Sequence, residues 1–505
     1  MSSDAPSEPA ATAERPRFRE SAVVVLVRGT VEALEVFWVR RSDAVTVMPG
    51  FEAFIGGKVN DEDLELEIEG APEGPERVLR ACAVREAFEE AGVLVGLVAP
   101  ADPAVLGPAR HRLLAGEATF PELAREHGWR FRAADLVAAG RWRTPPFTAA
   151  RFDARYFLAC VPNGQEPSVR PGELASGEWV RPRAALERWT RGEATFAAPI
   201  LWTLITLAEG GDDLAARLAR APERAGQPVR RIELKWGIVL HPMQTRPLPP
   251  ATHTNAYLVG EREMALIDPG GSEPQDVDEL IGLIEALEGE GRKLKLVLLT
   301  HHHPDHVGGL EALLTRRRVP VAAHAETARH MKVDFTLGDG EWIRLLGGER
   351  DWDLRALHTP GHTRGHLCFL HERTRSLFCG DHITGGAGTV IIDPPEGDMA
   401  AYVASLERLS REPIETLFPG HLGPQGAAQQ RIRALIAHRL DREARVLAAL
   451  EAAPRTPAEL VERAYADTPR ALWSYAERSL LAHLIKLEAE GRARRDGERW
   501  RSMGA

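Results

Sequence analysis

Residues 300–309 read THHHPDHVGG, four histidines and an aspartate within six positions, straight after the apolar run LKLVLLT. A core strand has no use for such a cluster. His301 and His303 alternate, so both can face one way while His302 faces the other. Asp305 and His306 follow on a turn. Two imidazoles on one ion, with a carboxylate and an imidazole on a second, is a feasible layout for two zinc-like ions. A second stretch carries different chemistry. In ACAVREAFEEAGVLV, residues 81–95, Glu86, Glu89 and Glu90 have i, i+3, i+4 spacing, which puts three carboxylates on one helical face. Like charges so close repel unless something neutralises them. Hard oxygen ligands suit Mg²⁺ or Mn²⁺, which in turn grip a diphosphate. Arg85 can pair within the cluster, and Gly92 ends the helix.

The elements that position these groups follow from pattern. SAVVVLV and LEVFWVRR read as two strands joined by a turn, followed by a helix-rich stretch to residue 220. APERAGQPV breaks the pattern and reads as a linker over 221–230, which suggests separate cores on its two sides. From Arg231 strands such as NAYLVG, EMALIDPG and LKLVLLT alternate with helical stretches such as DELIGLIEALEGE, an α/β pattern. Near Ile432 the strand signals stop, and the chain is mostly helical to Gly491 before a charged hairpin, GRARRDGERW.

A two-metal site needs more ligands, and they stand downstream behind apolar strands. LHTPGHTRGH offers His362, LFCGDHI offers Asp381 and IETLFPGHLGP offers His421. These pieces in this order resemble the metallo-β-lactamase fold over about residues 231–423. The resemblance implies an αβ/βα sandwich. It assigns His301, His303 and His362 to one metal and Asp305, His306 and His421 to the other, with Asp381 bridging. Asp268, in LIDPGG, matches the acidic strand end that buttresses this site in the family. His253, His302, His324, His358, His366 and His382 fall to supporting or structural positions. Two zinc ions (or Fe or Mn) about 3.5–4 Å apart can hold a bridging hydroxide at neutral pH that attacks an ester, thioester or phosphorus centre. TPGHTRGHLCF looks like the hydroxyacylglutathione hydrolase side of the superfamily, which favours a small ester or thioester.

The glutamate helix resembles the Nudix box, R-E-x-x-E-E-x-G, and RRSDAVTVMPGFEAFIGGKV supplies the strand, loop and double glycine expected upstream. The likeness covers about residues 18–220 and implies an α/β/α sandwich with catalytic, metal-holding Glu86, Glu89 and Glu90. It is closest to a branch that includes coenzyme A diphosphatases, so the substrate it implies is a nucleoside diphosphate linkage, coenzyme A derivatives included. The consensus places the arginine 14 positions after the second glycine; here the interval from Gly57 to Arg85 is 28, an insertion of 14 that leaves Glu76 one position early for the isolated glutamate of the box.

In the C-terminal part, Thr456, Pro457 and Glu459 form a capping box, Thr468-Pro469 repeats the start, and Asp496-Gly497 reads as the turn of the hairpin. Helix, helix, helix, hairpin resembles the winged-helix domain that accompanies one branch of metallo-β-lactamase hydrolases, a branch with a single-stranded RNA endoribonuclease. Arg492, Arg494, Arg495, Arg499 and Arg501 could meet phosphates. The reading preferred is a packing domain that shapes the substrate mouth.

The whole chain sets limits. Its 505 residues are too many for one core. A net charge of −10 gives no chain-wide attraction to nucleic acid or anionic membrane. Cys82, Cys160, Cys368 and Cys379 make neither a C-x-x-C pair nor a disulfide framework, which fits a reducing cytoplasm. No run of about 18 apolar residues occurs. The fold expected is a multidomain α/β and α+β chain: a disordered tail over 1–17, a Nudix domain over 18–220, a linker over 221–230, a metallo-β-lactamase domain over 231–432 and a winged helix over 433–505. The function expected is a cytoplasmic pair of hydrolases, one with two zinc-class ions and one with Mg²⁺ or Mn²⁺, acting on small-molecule esters, thioesters or nucleotide diphosphates. The alternatives are a single-stranded RNA endoribonuclease and a nucleotide-sensing Nudix module that regulates the central hydrolase. The sequence names no substrate-binding residue.

Overall fold

A computed structural model describes residues 18–145, 151–220, 231–348, 351–386 and 388–504. The tail 1–17 and the linker 221–230 lie outside the described residues.

In the N-terminal part, β1 (Arg19–Arg28), β2 (Glu35–Arg41), β3 (Glu52–Ala53) and β4 (Ile55–Lys58) precede the helix α1 (Pro75–Ala91). Three more strands follow: β5 (Val137–Arg143), β6 (Phe152–Cys160) and β7 (Leu174–Val180). The sheet runs β3-β2-β1-β6-β5, with β4 also on β1 and β7 also on β2. β1 and β6 pair in parallel from Arg19↔Phe152 to Val27↔Cys160. Alternation along β1 explains the layers. Ala22, Val24 and Leu26 enter one core with Val84 and Phe88 of α1. Val25 and Val27 enter a second core with Trp38, Trp189 and Leu204 on the other face. The result is the α/β/α sandwich expected. The stretch read as helix-rich holds β5 to β7 as well. VAAGRWR and LASGEWV carry little β-propensity, and pairing with β6 and β2 holds them extended.

The central part stacks two sheets. The first runs β8 (Ile232–Lys235), β9 (Ile238–Gln244), β10 (His253–Gly260), β11 (Glu263–Ile267), β12 (Lys293–Leu298), β13 (Val321–Ala323) and β14 (Phe335–Thr336), in that order. The second runs β15 (Trp342–Ile343), β16 (Leu354–His358), β17 (Leu367–His371), β18 (Ser376–Gly380) and β19 (Thr416–Pro419). The inner core joins Tyr257, Ile267, Leu298, Phe369, Phe378 and Phe418. Outside the first sheet, α2 (Pro274–Gly289) and α3 (Leu310–Arg316) cover Leu258, Leu266 and Val297. Outside the second, α4 (Met399–Leu409) and the start of α5 (Ala428–Ala452) cover Leu370, Leu377 and Cys379. This is the αβ/βα sandwich expected.

α5 continues past residue 432 into a third core, where Val446 and Leu450 meet α6 (Pro457–Ala464), α7 (Trp473–Ala489) and the hairpin β20 (Ala493–Asp496) with β21 (Arg499–Ser502). The Thr456–Glu459 capping box is present on both arms. Thr468 caps no helix. A 3₁₀ turn, Arg470–Leu472, intervenes, and α7 starts at Trp473. Asp496 pairs with Arg499, so the hairpin loop is Gly497-Glu498, one residue later than expected. No helix among the described residues is long and apolar enough to cross a membrane.

The expectation of separate N-terminal and central cores does not hold. Phe51, from the loop between β2 and β3, is 1% exposed and packs in the core between the two central sheets, with Met48 against it. Gly426 donates its N–H to the Pro49 carbonyl at 2.9 Å, and Phe196 donates to the Leu234 carbonyl at 2.9 Å. The linker's composition gave no sign of this, because the contact is made by a loop about 170 residues upstream of it. Phe51→Ala should therefore destabilise the central domain by about 3–5 kcal/mol, the range for emptying a buried phenylalanine site. Thermal unfolding followed by a probe in the central domain would show it; an unchanged transition would mean the plug contributes nothing.

Candidate metal centre and glutamate cluster

The central residues gather at one end of the two sheets. β12 ends at Leu298, and an extended stretch carries His301 and His303 to the short helix Pro304–Val307, whose first turn holds Asp305 and His306. His362 stands in the loop between β16 and β17. Asp381 follows β18, and His421 follows β19. His301 Nε2 and His362 Nε2 each lie 3.0 Å from His303 Nδ1. His421 Nε2 is 3.3 Å from Asp305 Oδ2 and 3.3 Å from Asp381 Oδ2, and His306 Nε2 is 3.2 Å from Asp381 Oδ1. Three-donor groups within 4.8 Å are His301–His303–His362, Asp305–His306–His421 and His301–His306–Asp381, with His302–His303–Glu396 beside them. Asp381 thus stands between the two sets.

The opposite ring nitrogens are anchored. His306 Nδ1 donates to Asp268 Oδ2 at 2.8 Å, His362 Nδ1 to the Ile391 carbonyl at 3.0 Å and His421 Nδ1 to the His253 carbonyl at 3.0 Å. Such anchoring fixes the tautomer that leaves Nε2 with its lone pair toward the site. His306 Nε2 and Asp381 Oδ1 are buried and have no hydrogen-bond partner. Imidazole nitrogens and carboxylate oxygens that converge on one buried space are the donor set of a cation, so the residues present fit two metal ions. Asp268 is held by the Thr300 N–H (2.8 Å) and hydroxyl (2.6 Å) in a left-handed conformation, φ +52°. Gly420, of the PGH stretch, leaves room for nothing else: a Cβ there would lie 2.5 Å from His306 Cε1.

Charge agrees with geometry. Burial disfavours the imidazolium of His301 and holds it well below the ordinary range, and His303 falls to about 3. For His306 burial acts in the same direction, but Asp381 and Asp268 outweigh it and carry the ring well above the ordinary value. Asp381 likewise lifts His421 to about 9 against its burial. Asp381 itself, although buried, is driven well below the carboxylate range by His421 and His306.

The remaining histidines lie around this set. His302 stacks on His330 at 3.8 Å, and His324 on His358 at 4.0 Å. His366 Nδ1 and the Thr359 hydroxyl are 3.0 Å apart, and His382 is buried against Tyr402. The sequence reading missed the C-terminal contribution. Arg431, Arg439 and Ser479 bond the backbone of Gly388, Val390 and Ile392, and Arg478 pairs with Asp393. The Ile391 carbonyl that anchors His362 is part of this clamped segment.

The N-terminal cluster is arranged differently. Arg85, buried on α1, donates to both oxygens of Asp63 (2.8 and 3.1 Å), to Glu86 (2.8 Å) and to Glu89 (3.2 Å). Glu90 accepts the Gly56 N–H at 2.9 Å. A Cβ on Gly57 would lie 2.2 Å from Glu86 Oε1, so the double glycine lets the strand pass over the helix. Asp63 belongs to the insertion and carries no motif signal. Glu76 pairs with Arg80 instead. Among the described residues, Glu86, Glu89 and Glu90 do not form a three-donor group within 4.8 Å. Arg85 and Gly56 hold the carboxylates that a cation would otherwise draw together.

A metallo-beta-lactamase superfamily model matches residues 249–421. A beta-lactamase-like protein 2 homolog of Drosophila melanogaster is 31% identical over 254 residues, 48% of this chain and 84% of that protein. The chain belongs to the metallo-β-lactamase superfamily. A hydroxyacylglutathione hydrolase of Methylococcus capsulatus is 38% identical over 169 residues, 32% of this chain and 63% of that protein. The lactamase-like protein notP of an Aspergillus species is 32% identical over 228 residues, 43% of this chain, and the chain spans 65% of its length. This member of the superfamily also matches a NUDT19 Nudix domain over 69–207 and a beta-lactamase associated winged helix domain over 456–500. Among solved structures, a Nudix hydrolase of Alicyclobacillus acidocaldarius has 27% identity and a TM-score of 0.36, covering 40% of this chain and 97% of that one.

Burial lifts Glu86 to about 7 and Glu90 to about 8. Their charged forms prevail only above those values, so a divalent cation must displace protons below them. Mg²⁺ affinity should rise from pH 6 to pH 9, by up to about tenfold per unit for each proton displaced. Calorimetry in buffers of different ionisation heat reads both the affinity and the released protons. Affinity flat with pH would exclude Glu86 and Glu90 as ligands.

Proposed function

We propose that this chain is a metal-dependent hydrolase whose central site takes two zinc-class ions and cleaves a small ester or thioester. The observation that carries this reading is the convergence of His301, His303 and His362 ring nitrogens at 3.0 Å beside a second, carboxylate-bearing set. His301, His303 and His362 would hold one ion, and Asp305, His306 and His421 the other, with Asp381 between them. When bound, the ions supply Lewis acidity and a water activated at neutral pH. The protein's part is positioning. Asp381 faces both sets, Asp268 and Thr300 lock His306, and Ile391 locks His362. The small-substrate reading draws on the likeness to a protein named hydroxyacylglutathione hydrolase. The wing supports it too, since Arg492 is already paired with Glu443 and Glu490 rather than held ready for phosphates.

The N-terminal site is proposed for a nucleoside diphosphate linkage, coenzyme A derivatives included, with Mg²⁺ or Mn²⁺ on Glu86, Glu89 and Glu90. The domain limits proposed are 18–220, 231–432 and 433–505, with α5 common to the last two. The cytoplasm is the proposed compartment.

Protein purified without chelator should carry about two zinc-class ions per chain, and Asp381→Ala should lower thioester turnover by about 100-fold or more with the fold intact. Elemental analysis and steady-state kinetics test both. Full turnover in strong chelator would end the metal assignment. In the same preparations, wild type and the Arg492→Ala, Arg494→Ala, Arg495→Ala triple variant should bind single-stranded RNA equally poorly at physiological salt. A salt-sensitive complex lost in the triple variant would restore the nuclease alternative.

A further inference from the structure

The central site does not end at its own domain. It opens into a cavity of about 2590 Å³ lined by His303, Asp305, His362, Asp381 and His421 and, from the N-terminal domain, by Phe18, Arg143 and Arg151. Small-molecule sites run to about 300–1,000 Å³, so this space suits a substrate with a long body beyond the reacting bond. Phe18 is 39% exposed, an apolar ring left facing solvent. Two guanidinium groups lie over it, Arg151 at 4.4 Å and Arg143 at 5.4 Å from the ring centre. Arg151 Nε is buried without a hydrogen-bond partner. Asp153 is shared by Arg141 and Arg143.

We propose that Phe18, Arg143 and Arg151 form a nucleoside-phosphate platform at the far end of the central cleft, so that its substrate is a thioester whose leaving group carries a nucleoside phosphate. The proposal rests on the thioester reading of the central site and names its substrate class. An aromatic ring with guanidinium groups offers a stacking face and phosphate donors together. The rest of the lining decides between a compact anion and a polymer. There α2 presents Asp276, Glu279 and, beyond its ends, Glu273 and Glu290. A nucleic-acid strand threaded along the cleft would run past these carboxylates, whereas a phosphate group confined to the arginine end would not. The platform is separate from the glutamate helix, whose Glu86, Glu89 and Glu90 do not line this cavity.

The test compares acetyl-coenzyme A with S-acetyl-N-acetylcysteamine, which keeps the thioester and lacks the nucleotide, in the full-length chain. The wild type should prefer acetyl-coenzyme A in kcat/KM. That preference should fall about tenfold in Arg151→Gln and in Phe18→Ala, and Arg151→Lys should recover part of it. Equal kcat/KM for the two substrates in the wild type, or a preference untouched by these variants, would overturn the proposal. If neither thioester is cleaved, the thioester reading fails, and the platform is judged by ADP titration without added Mg²⁺, which keeps the glutamate helix from binding. ADP affinity lowered about tenfold by Arg151→Gln would uphold the platform; no ADP binding, or binding indifferent to Arg151, would reject it. An RNA oligomer that binds more tightly than ADP and depends on Arg151 would reject the small-substrate assignment.

Discussion

Three carboxylates, Asp268, Asp305 and Asp381, are packed at one end of the central sandwich, and among the described residues their ion-pair partners are imidazoles alone. Neutral imidazoles cannot balance that charge. The protein has two ways to satisfy it: protonate His306 and His421, or hold metal. The elevated values of those two rings express the first. The three ring nitrogens aimed at the same space, with their far sides tied to Asp268, Ile391 and His253, express the second. A buried anionic cluster of this kind is tolerated only when a cation is close. Much of the architecture around it serves that need.

The supports come from all parts of the chain. The strand end at Asp268 takes a left-handed backbone so that one carboxylate can reach the Thr300 N–H, the Thr300 hydroxyl and His306 together. The C-terminal helices reach the centre at one remove. Arg439 and Ser479 grip Val390 and Ile392, and between them Ile391 sets the tautomer of His362. The winged helix is therefore a buttress of the candidate metal centre, whatever else its arginines do.

Legibility in the sequence followed the physics of each part. The histidine–aspartate set was visible because few residue types can hold a metal, and because Asp381 and His421 stand directly behind apolar strands. The strands were visible where apolar runs were nearly continuous, as in β1 and β10. The strands β5 and β7 were not, since Ala and Gly recur in both, and the partner of β7, β2, is far away in sequence. Asp63 was invisible for a related reason: an aspartate in an insertion gains meaning only when folding places it 2.8 Å from Arg85. Phe51 reads like any loop aromatic until a second domain is seen to close over it.

That closure bears on how two hydrolase domains work on one chain. Phe51 is an apolar anchor, and polar groups surround it. Glu52 is buried and accepts the Thr195 N–H at 2.7 Å, while buried Lys235, lowered to about 8 by desolvation, donates to the Thr374 carbonyl at 3.0 Å. Trp189 donates to the Leu234 carbonyl at 3.1 Å and meets Trp236 edge-on. Buried, directional contacts of this kind fix orientation as well as proximity. A flexible tether between independent domains would let the strand starts with Phe18 and Arg151 wander relative to the central site. The plug instead holds those strand starts in one place on the cleft wall, so the N-terminal domain can shape what enters the central site without using its own glutamate helix. On this view the fusion joins surfaces as well as activities, and the cleft is a property of the whole chain.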